Sequence, residues 1–264
     1  MARSSLKNVI RLLDNANKEL PVEKSFVQDL KRSIEKTADK EAYKPTQRYK
    51  PSSMKCIRNM YYQVAGIDPD PQESSACLIG ICNSGTDIHE RVQNAVAQMK
   101  NNDIDCEYID VAEYVKSRKL DDYLDIVKKQ GNETKLYHKK LNMIFLCDGI
   151  IRYKGKYYIL EIKTEKIYKW QMRKGVAEEH KIQATAYSTA LQIDNVLFLY
   201  INRDNTDMKG FLFNVTGDMK QELIGKIDEC DSYVSKMIAP PKPDNFTAKD
   251  CQYCSYRQQC RKDG

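Results

Sequence analysis

The chain has 264 residues, of which 41% are hydrophobic and 30% charged, enough to bury one sizeable core and more consistent with one elaborated soluble domain than with two. It holds no apolar run of bilayer-spanning length, and its opening MARSSLKNVIRLLDN lacks the apolar centre of a secretory signal, so an intracellular protein with no membrane partner is expected. Nine cysteines, unevenly spaced, argue against a secreted disulfide framework and for metal or cluster ligation.

The net charge of +6 is modest, but residues 152–181 carry nine bases against four acids. Such a basic stretch suits a polyanionic partner, and nucleic acid is the one expected. Residues 101–130 run the other way, with eight acids against five bases, and read as an outer helix rather than a nucleic-acid face.

In chain order, residues 4–19 and 22–40 predict two charged amphipathic helices parted near Pro21. They make residues 1–50 an N-terminal appendage to a main domain over 51–264. Helices are expected over 52–65, 76–100 and 111–129, then a run of strands over 134–164. A helix over 176–192, strands over 196–204 and 209–216, and a helix over 218–238 complete the core. Prolines in 240-PPKPDNF-246 exclude regular helix there and lead the chain into a cysteine-rich tail. Mixed strands flanked by helices predict an α/β (α+β) architecture.

The stretch 147-CDGIIRYKGKYYILEIKT-164 carries the chemistry. Its two apolar runs flank Lys154-Gly155, where glycine supplies the positive φ of a tight hairpin turn. A two-residue loop closed by Tyr153 and Lys156, or a four-residue loop closed by Arg152 and Tyr157, sets Asp148 opposite Glu161. A three-residue loop would flip the register and separate them. Opposed carboxylates, with Cβ atoms about 4.5–5.5 Å apart, repel unless something offsets their charge. Side-chain alternation puts Lys163 on the same face as Glu161 and turns Ile162 to the other. A hard divalent cation such as Mg2+ or Mn2+ would relieve the repulsion. The bland alternative is a solvated face with an ordinary ion pair.

The ending 251-CQYCSYRQQC-260 brings three thiols within ten residues. Tetrahedral zinc and iron-sulfur cubanes want four. Cys77, Cys147 and Cys230 lie in apolar or helical contexts that suit core packing, while Cys82 and Cys106 are undecided on local grounds. Cys56, between basic residues in 52-SSMKCIRNMYY-62, is the favoured fourth ligand. Joining it to the tail would staple nearly the whole domain.

These pieces together resemble the PD-(D/E)xK nuclease superfamily, specifically its RecB-like branch with an iron-sulfur cluster, which includes CRISPR-associated RecB-like exonucleases and AddB-type nuclease domains. The matching motifs run in order from about Ser52 to Cys260. They are His89 in 85-GTDIHE-90, Asp148 in 147-CDG-149, 161-EIK-163, Gln183 and Tyr187 in 183-QATAY-187, and the cysteines Cys56, Cys251, Cys254 and Cys260. The resemblance implies a restriction-endonuclease-like core with a mixed sheet and a metal-dependent DNA nuclease, an exonuclease on single-stranded or frayed ends. It further implies that His89, Asp148, Glu161 and the Ile162 carbonyl hold Mg2+ or Mn2+, and that Lys163 orients water or neutralises developing charge. Gln183 and Tyr187 would position DNA, with Glu90 a partner for His89. Phosphates would be held by Arg58, Lys166, Lys169, Arg173, Lys174 and Lys181. A [4Fe-4S] cluster on the four cysteines is implied, with structural Zn2+ the alternative. Trp170 is a candidate for stacking on unpaired bases, whereas Tyr61 and Tyr62 favour core or cluster packing. Protein partners in DNA processing, in a prokaryotic or phage-infected cell, accord with the family. The rival reading is a catalytically silent nucleic-acid-binding or protein-interaction module on the same scaffold.

Overall fold

The computed structural model describes residues 21–37, 45–71, 75–130 and 133–264. Its strands are β1 (Cys106–Ile109), β2 (Leu124–Gln130), β3 (Glu133–His138), β4 (Met143–Cys147), β5 (Gly149–Tyr153), β6 (Lys156–Glu165), β7 (Asn195–Asn202) and β8 (Met208–Asn214). The α-helices among the described residues are α1 (Val22–Thr37), α2 (Ile57–Val64), α3 (Ala76–Gln98), α4 (Val111–Ser117), α5 (Ile167–Met172), α6 (Glu178–Leu191), α7 (Gly217–Lys236) and α8 (Arg257–Lys262). The fold is mixed α/β, as the sequence predicts. None of the described helices is long and apolar enough to cross a membrane.

Two compact units divide the chain. Among the described residues, one comprises 21–37 and 75–82 and the other 45–71, 83–130 and 133–264. In the first, α1 is an exposed helix whose Glu35 carboxylate accepts from the Ala76 backbone N–H at 2.9 Å. The helix expected over 4–19 lies outside the described residues. The second unit begins before Pro51, because Tyr49 is fully buried and bridges to Met143.

Turn chemistry sets the register of the larger sheet. Lys154 and Gly155 both have positive φ, 48° and 78°, in the two-residue turn whose twist matches a hairpin. Tyr153 pairs with Lys156, and the β5–β6 ladder runs to Gly149 and Leu160. The five strands are ordered β1-β5-β6-β7-β8, antiparallel except for the β6–β7 pair. A parallel pair needs a crossover, and α5 and α6 supply it. A second antiparallel sheet, β2-β3-β4, abuts the first where the chain passes from Cys147 through Asp148 into Gly149.

Alternation along β6 divides the core. Leu160 and Ile162 pack with Ile88 and Val92 of α3 on one side. Ile159 joins Phe198, Tyr200, Ala184 and Leu191 on the other, beneath α6 and α7. Each such aliphatic side chain contributes roughly 1.5–3 kcal/mol relative to exposure.

The segment 111–129 is not one helix. The chain leaves α4 at Arg118, Lys119 adopts φ 56°, and Leu124 onward pairs with β3. Val111, Tyr114 and Val115 satisfy a helical period, and no glycine or proline marks the break. The β-branched pair Ile126-Val127 nevertheless prefers the pleated surface. The acidic region is thus part of both sheets, through β1 and β2, rather than an outer helix.

Candidate metal centre and cysteine cavity

Asp148 occupies the break between β4 and β5. Its Oδ2 accepts from the Ile162 backbone N–H at 2.8 Å. Its carbonyl accepts from Gln93 Nε2 at 2.8 Å and from the Tyr108 hydroxyl at 2.7 Å. These three bonds fix the carboxylate beside β6. The N–H and C=O of one strand residue project from the same edge, so the Ile162 carbonyl shares the edge facing Asp148, beyond the last β5 pair.

Helical spacing explains α3's part. Ile88 and Val92 face the core, while His89 and Gln93, four residues apart, lie on one face. His89 Nδ1 stands 3.6 Å from Asp148 Oδ1. Burial lowers the His89 pKa, but Asp148 outweighs it and the net shift is upward. Glu90 is exposed, and the carboxylate against His89 is that of Asp148. Glu133, at the start of β3, completes the group. Ligand atoms of His89, Glu133 and Asp148 all lie within 4.8 Å of one another. Burial and the Asp148 charge push the Glu133 carboxyl up. Sequence reasoning missed Glu133, Gln93 and Tyr108. Only Gln93 left a signal, its four-residue spacing from His89.

Glu161 is 2% exposed. Its Oε1 accepts from Lys163 Nζ at 2.6 Å, whereas Oε2 is buried with no hydrogen-bond partner. Burial and the Asp148 charge raise its pKa to about 7 in spite of Lys163. Lys163 Nζ also donates to Gln183 Oε1 at 2.9 Å, and Gln183 Nε2 donates to the Tyr187 hydroxyl at 2.6 Å. Tyr187 in turn stacks on Phe145, ring centroids 5.0 Å apart. Gln183 and Tyr187 therefore form a brace from α6 to the lysine. The ligand atoms that converge are those of His89, Asp148 and the unexpected Glu133, while Glu161, outside that group, faces Asp148 electrostatically and is tied through Lys163 to Gln183 and Tyr187.

Gly149 is glycine for a steric reason. A Cβ there would stand 2.7 Å from the Tyr108 hydroxyl oxygen and under 3 Å from two ring carbons. Gly149→Ala should displace Tyr108 and release the Asp148 carbonyl, costing about 1–3 kcal/mol. The check is the urea midpoint, and an unchanged midpoint would contradict this account of the strand break.

The basic residues divide. Lys166 and Lys174 are exposed. Lys169 and Arg173 converge on the buried Glu165, and Lys181 pairs with Glu178. Arg58 is not a phosphate-binding surface residue. It is buried and donates to the carbonyls of Pro240, Cys260, Asp263 and Gly264 at 2.8–3.2 Å, which anchors the tail. Tyr61 and Tyr62 are core residues. Trp170 is no free stacking surface, since its indole N–H donates to the Tyr200 carbonyl and Lys209 lies over its ring.

Cys56, Cys251, Cys254 and Cys260 line one cavity of about 930 Å3. Arg58 Nη1 donates to Cys260 Sγ at 3.4 Å and Asn59 Nδ2 to Cys254 Sγ at 3.5 Å. Burial, with further contributions from neighbouring cysteines, pushes the Cys56 and Cys254 thiols up. Cys106, Cys147 and Cys230 are buried and Cys82 exposed. Cys77 is also exposed, contrary to the core position expected from its apolar neighbours.

No protein-family model matches the chain, and no curated protein matches it. Among solved structures it is similar to one described as the crystal structure of SSO0001, with 16% identity over 91% of this chain and 98% of that chain and a TM-score of 0.44.

Proposed function

We propose that the protein is a metal-dependent DNA nuclease of the RecB-like PD-(D/E)xK type, acting as an exonuclease on single-stranded or frayed ends. The observation that carries this reading is the buried Glu161 Oε2 without a partner, beside Asp148 and within the electrostatic reach of His89. A lone buried carboxylate oxygen is costly, and hard oxygen donors with one imidazole suit Mg2+ or Mn2+. His89, Asp148, Glu161 and the Ile162 carbonyl would hold the ion, with Glu133 close by. A bound ion there supplies a more acidic water and Lewis-acid stabilisation of charge on the phosphodiester.

The chain's own residues prepare that chemistry. Gln93, Tyr108 and the Ile162 N–H hold Asp148 in place. Lys163 Nζ is held between Glu161 and Gln183, where it can donate to the attacking water or to developing negative charge. Tyr187, packed on Phe145, fixes Gln183 and so the lysine. Basic side chains at Lys166 and Lys174 offer contacts to phosphates approaching this end of β6.

The lining of one cavity by Cys56, Cys251, Cys254 and Cys260 supports a reading as four-thiolate ligation, and among the described residues no three of these sulfurs lie within 4.8 Å of one another. Side-chain N–H donors already address two sulfurs, and four neighbouring thiolates demand a cation. A [4Fe-4S] cluster is our reading, and visible charge-transfer absorption with iron content in anaerobically purified protein tests it against zinc. Cys56→Ser is expected to lower bound metal and reduce Tm, because the ligand joins α2 to the tail. Unchanged metal content and Tm would remove Cys56 from the set. The nuclease itself is tested by degradation of end-labelled DNA with Mg2+ or Mn2+ against EDTA, the label pattern giving polarity.

A further inference from the structure

Helix α5 begins two residues after β6 ends, and it is fastened from behind. Besides the Trp170 indole bond to Tyr200, Lys209 Nζ donates to the carbonyls of Trp170 and Gln171, and the Ile167 N–H donates to Asp204. A helix of six residues has little stability of its own, so these bonds hold it in a set position. Its outer face nonetheless offers apolar groups to solvent. Tyr168 is 64% exposed and Met172 76% exposed, four residues apart and so side by side.

The flanking charge indicates what covers them. Residues 166–174, KIYKWQMRK, contain four bases and no acid. Lys166 and Lys174 are exposed, and among the described residues neither enters an ion pair. An apolar protein partner would leave these cations unmatched. An aromatic face flanked by free lysines is the arrangement that holds single-stranded nucleic acid, bases on the ring and phosphates on the cations. The patch also adjoins the metal centre: Glu165, which Lys169 and Arg173 clasp, lies two residues past Lys163 on the same face of β6. Lys163, Lys169 and Arg173 all act electrostatically on the His180 ring.

We propose that Tyr168, supported by Met172, is a platform on which an unpaired base of single-stranded DNA stacks as the strand enters the nuclease site. This rests on the nuclease reading for its setting, but its test does not require cleavage. Binding of fluorescent single-stranded DNA, single-stranded RNA and blunt duplex is measured in EDTA, for the full chain and for Tyr168→Ala and Tyr168→Phe. Emission from Trp170, the chain's single tryptophan, verifies that α5 stays docked in each variant.

The expected result is single-stranded DNA affinity weakened about five- to 150-fold in Tyr168→Ala and kept in Tyr168→Phe. Duplex affinity should change less than about twofold in every Tyr168 variant. Unchanged single-strand binding in Tyr168→Ala, equal loss on duplex, tighter binding of RNA than DNA, or no DNA binding by the native chain would each overturn the proposal. Absence of cleavage with intact Tyr168-dependent binding would instead count against the nuclease reading alone.

Discussion

Glu161→Ala and Asp148→Ala should each reduce DNA cleavage at least about 10^3-fold, since Lewis-acid stabilisation is worth several kcal/mol and ~4 kcal/mol corresponds to that factor. The two substitutions should part company in stability. Asp148→Ala orphans the Ile162 N–H that its carboxylate accepts from, a loss of about 1–3 kcal/mol. Glu161→Ala removes a buried charge whose second oxygen has no partner. A denaturant melt beside the cleavage assay reads both quantities. Full activity in both folded variants would remove the carboxylates from the mechanism, and the silent-scaffold reading would replace it.

The second large effect is a pH dependence of stability in the metal-free protein. Burial, reinforced by Asp148, raises the Glu161 pKa from an ordinary 4.5 to about 7. Between those values the folded chain binds more protons than the unfolded one, so stability falls as pH rises through the window. Below about 4.5 the contribution is fully present, and above about 7 it is lost, a difference on the order of 3 kcal/mol. In EDTA at pH 8, Glu161→Gln should therefore be more stable than the native chain by about 1–3 kcal/mol. The advantage should vanish at pH 4 and shrink when Mn2+ is added, because a cation beside Glu161 favours its ionised form. Urea midpoints of the two proteins across pH, with and without Mn2+, provide the check. A pH-independent difference would mean that Glu161 is not the group responsible.

Local chemistry made the hairpin readable. Glycine at 155 marks a tight turn whose two- and four-residue forms give the same register, period-two alternation fixes the faces, and Asp148, Glu161 and Lys163 follow from that register. Gln183 and Tyr187 were legible as one face of a helix, and the bond of Gln183 to Lys163, braced by Tyr187, is the tertiary consequence. Glu133 was not legible, because it lies on a strand of the other sheet and reaches the centre only through the packing of β3 beside the Asp148 break. Tyr108 was hidden for a similar reason: it belongs to β1, in a region whose acidic composition suggested an outer helix. Arg58 illustrates the reverse error, a cation beside a proposed site whose donors are taken by the carbonyls of the tail. Charge in sequence identifies candidates for a polyanion, but pairing in the fold decides which remain available, as Lys166 and Lys174 do and Arg173 does not.

The most direct test of the account is the release of label from end-labelled single-stranded DNA by anaerobically purified protein and by its Glu161→Gln variant, each with Mg2+, with Mn2+ and with EDTA. The account predicts cleavage by the native chain with either metal, none in EDTA, and a loss of at least about 10^3-fold in the variant despite its intact fold. Cleavage that persists in EDTA, or that survives the substitution, would contradict it.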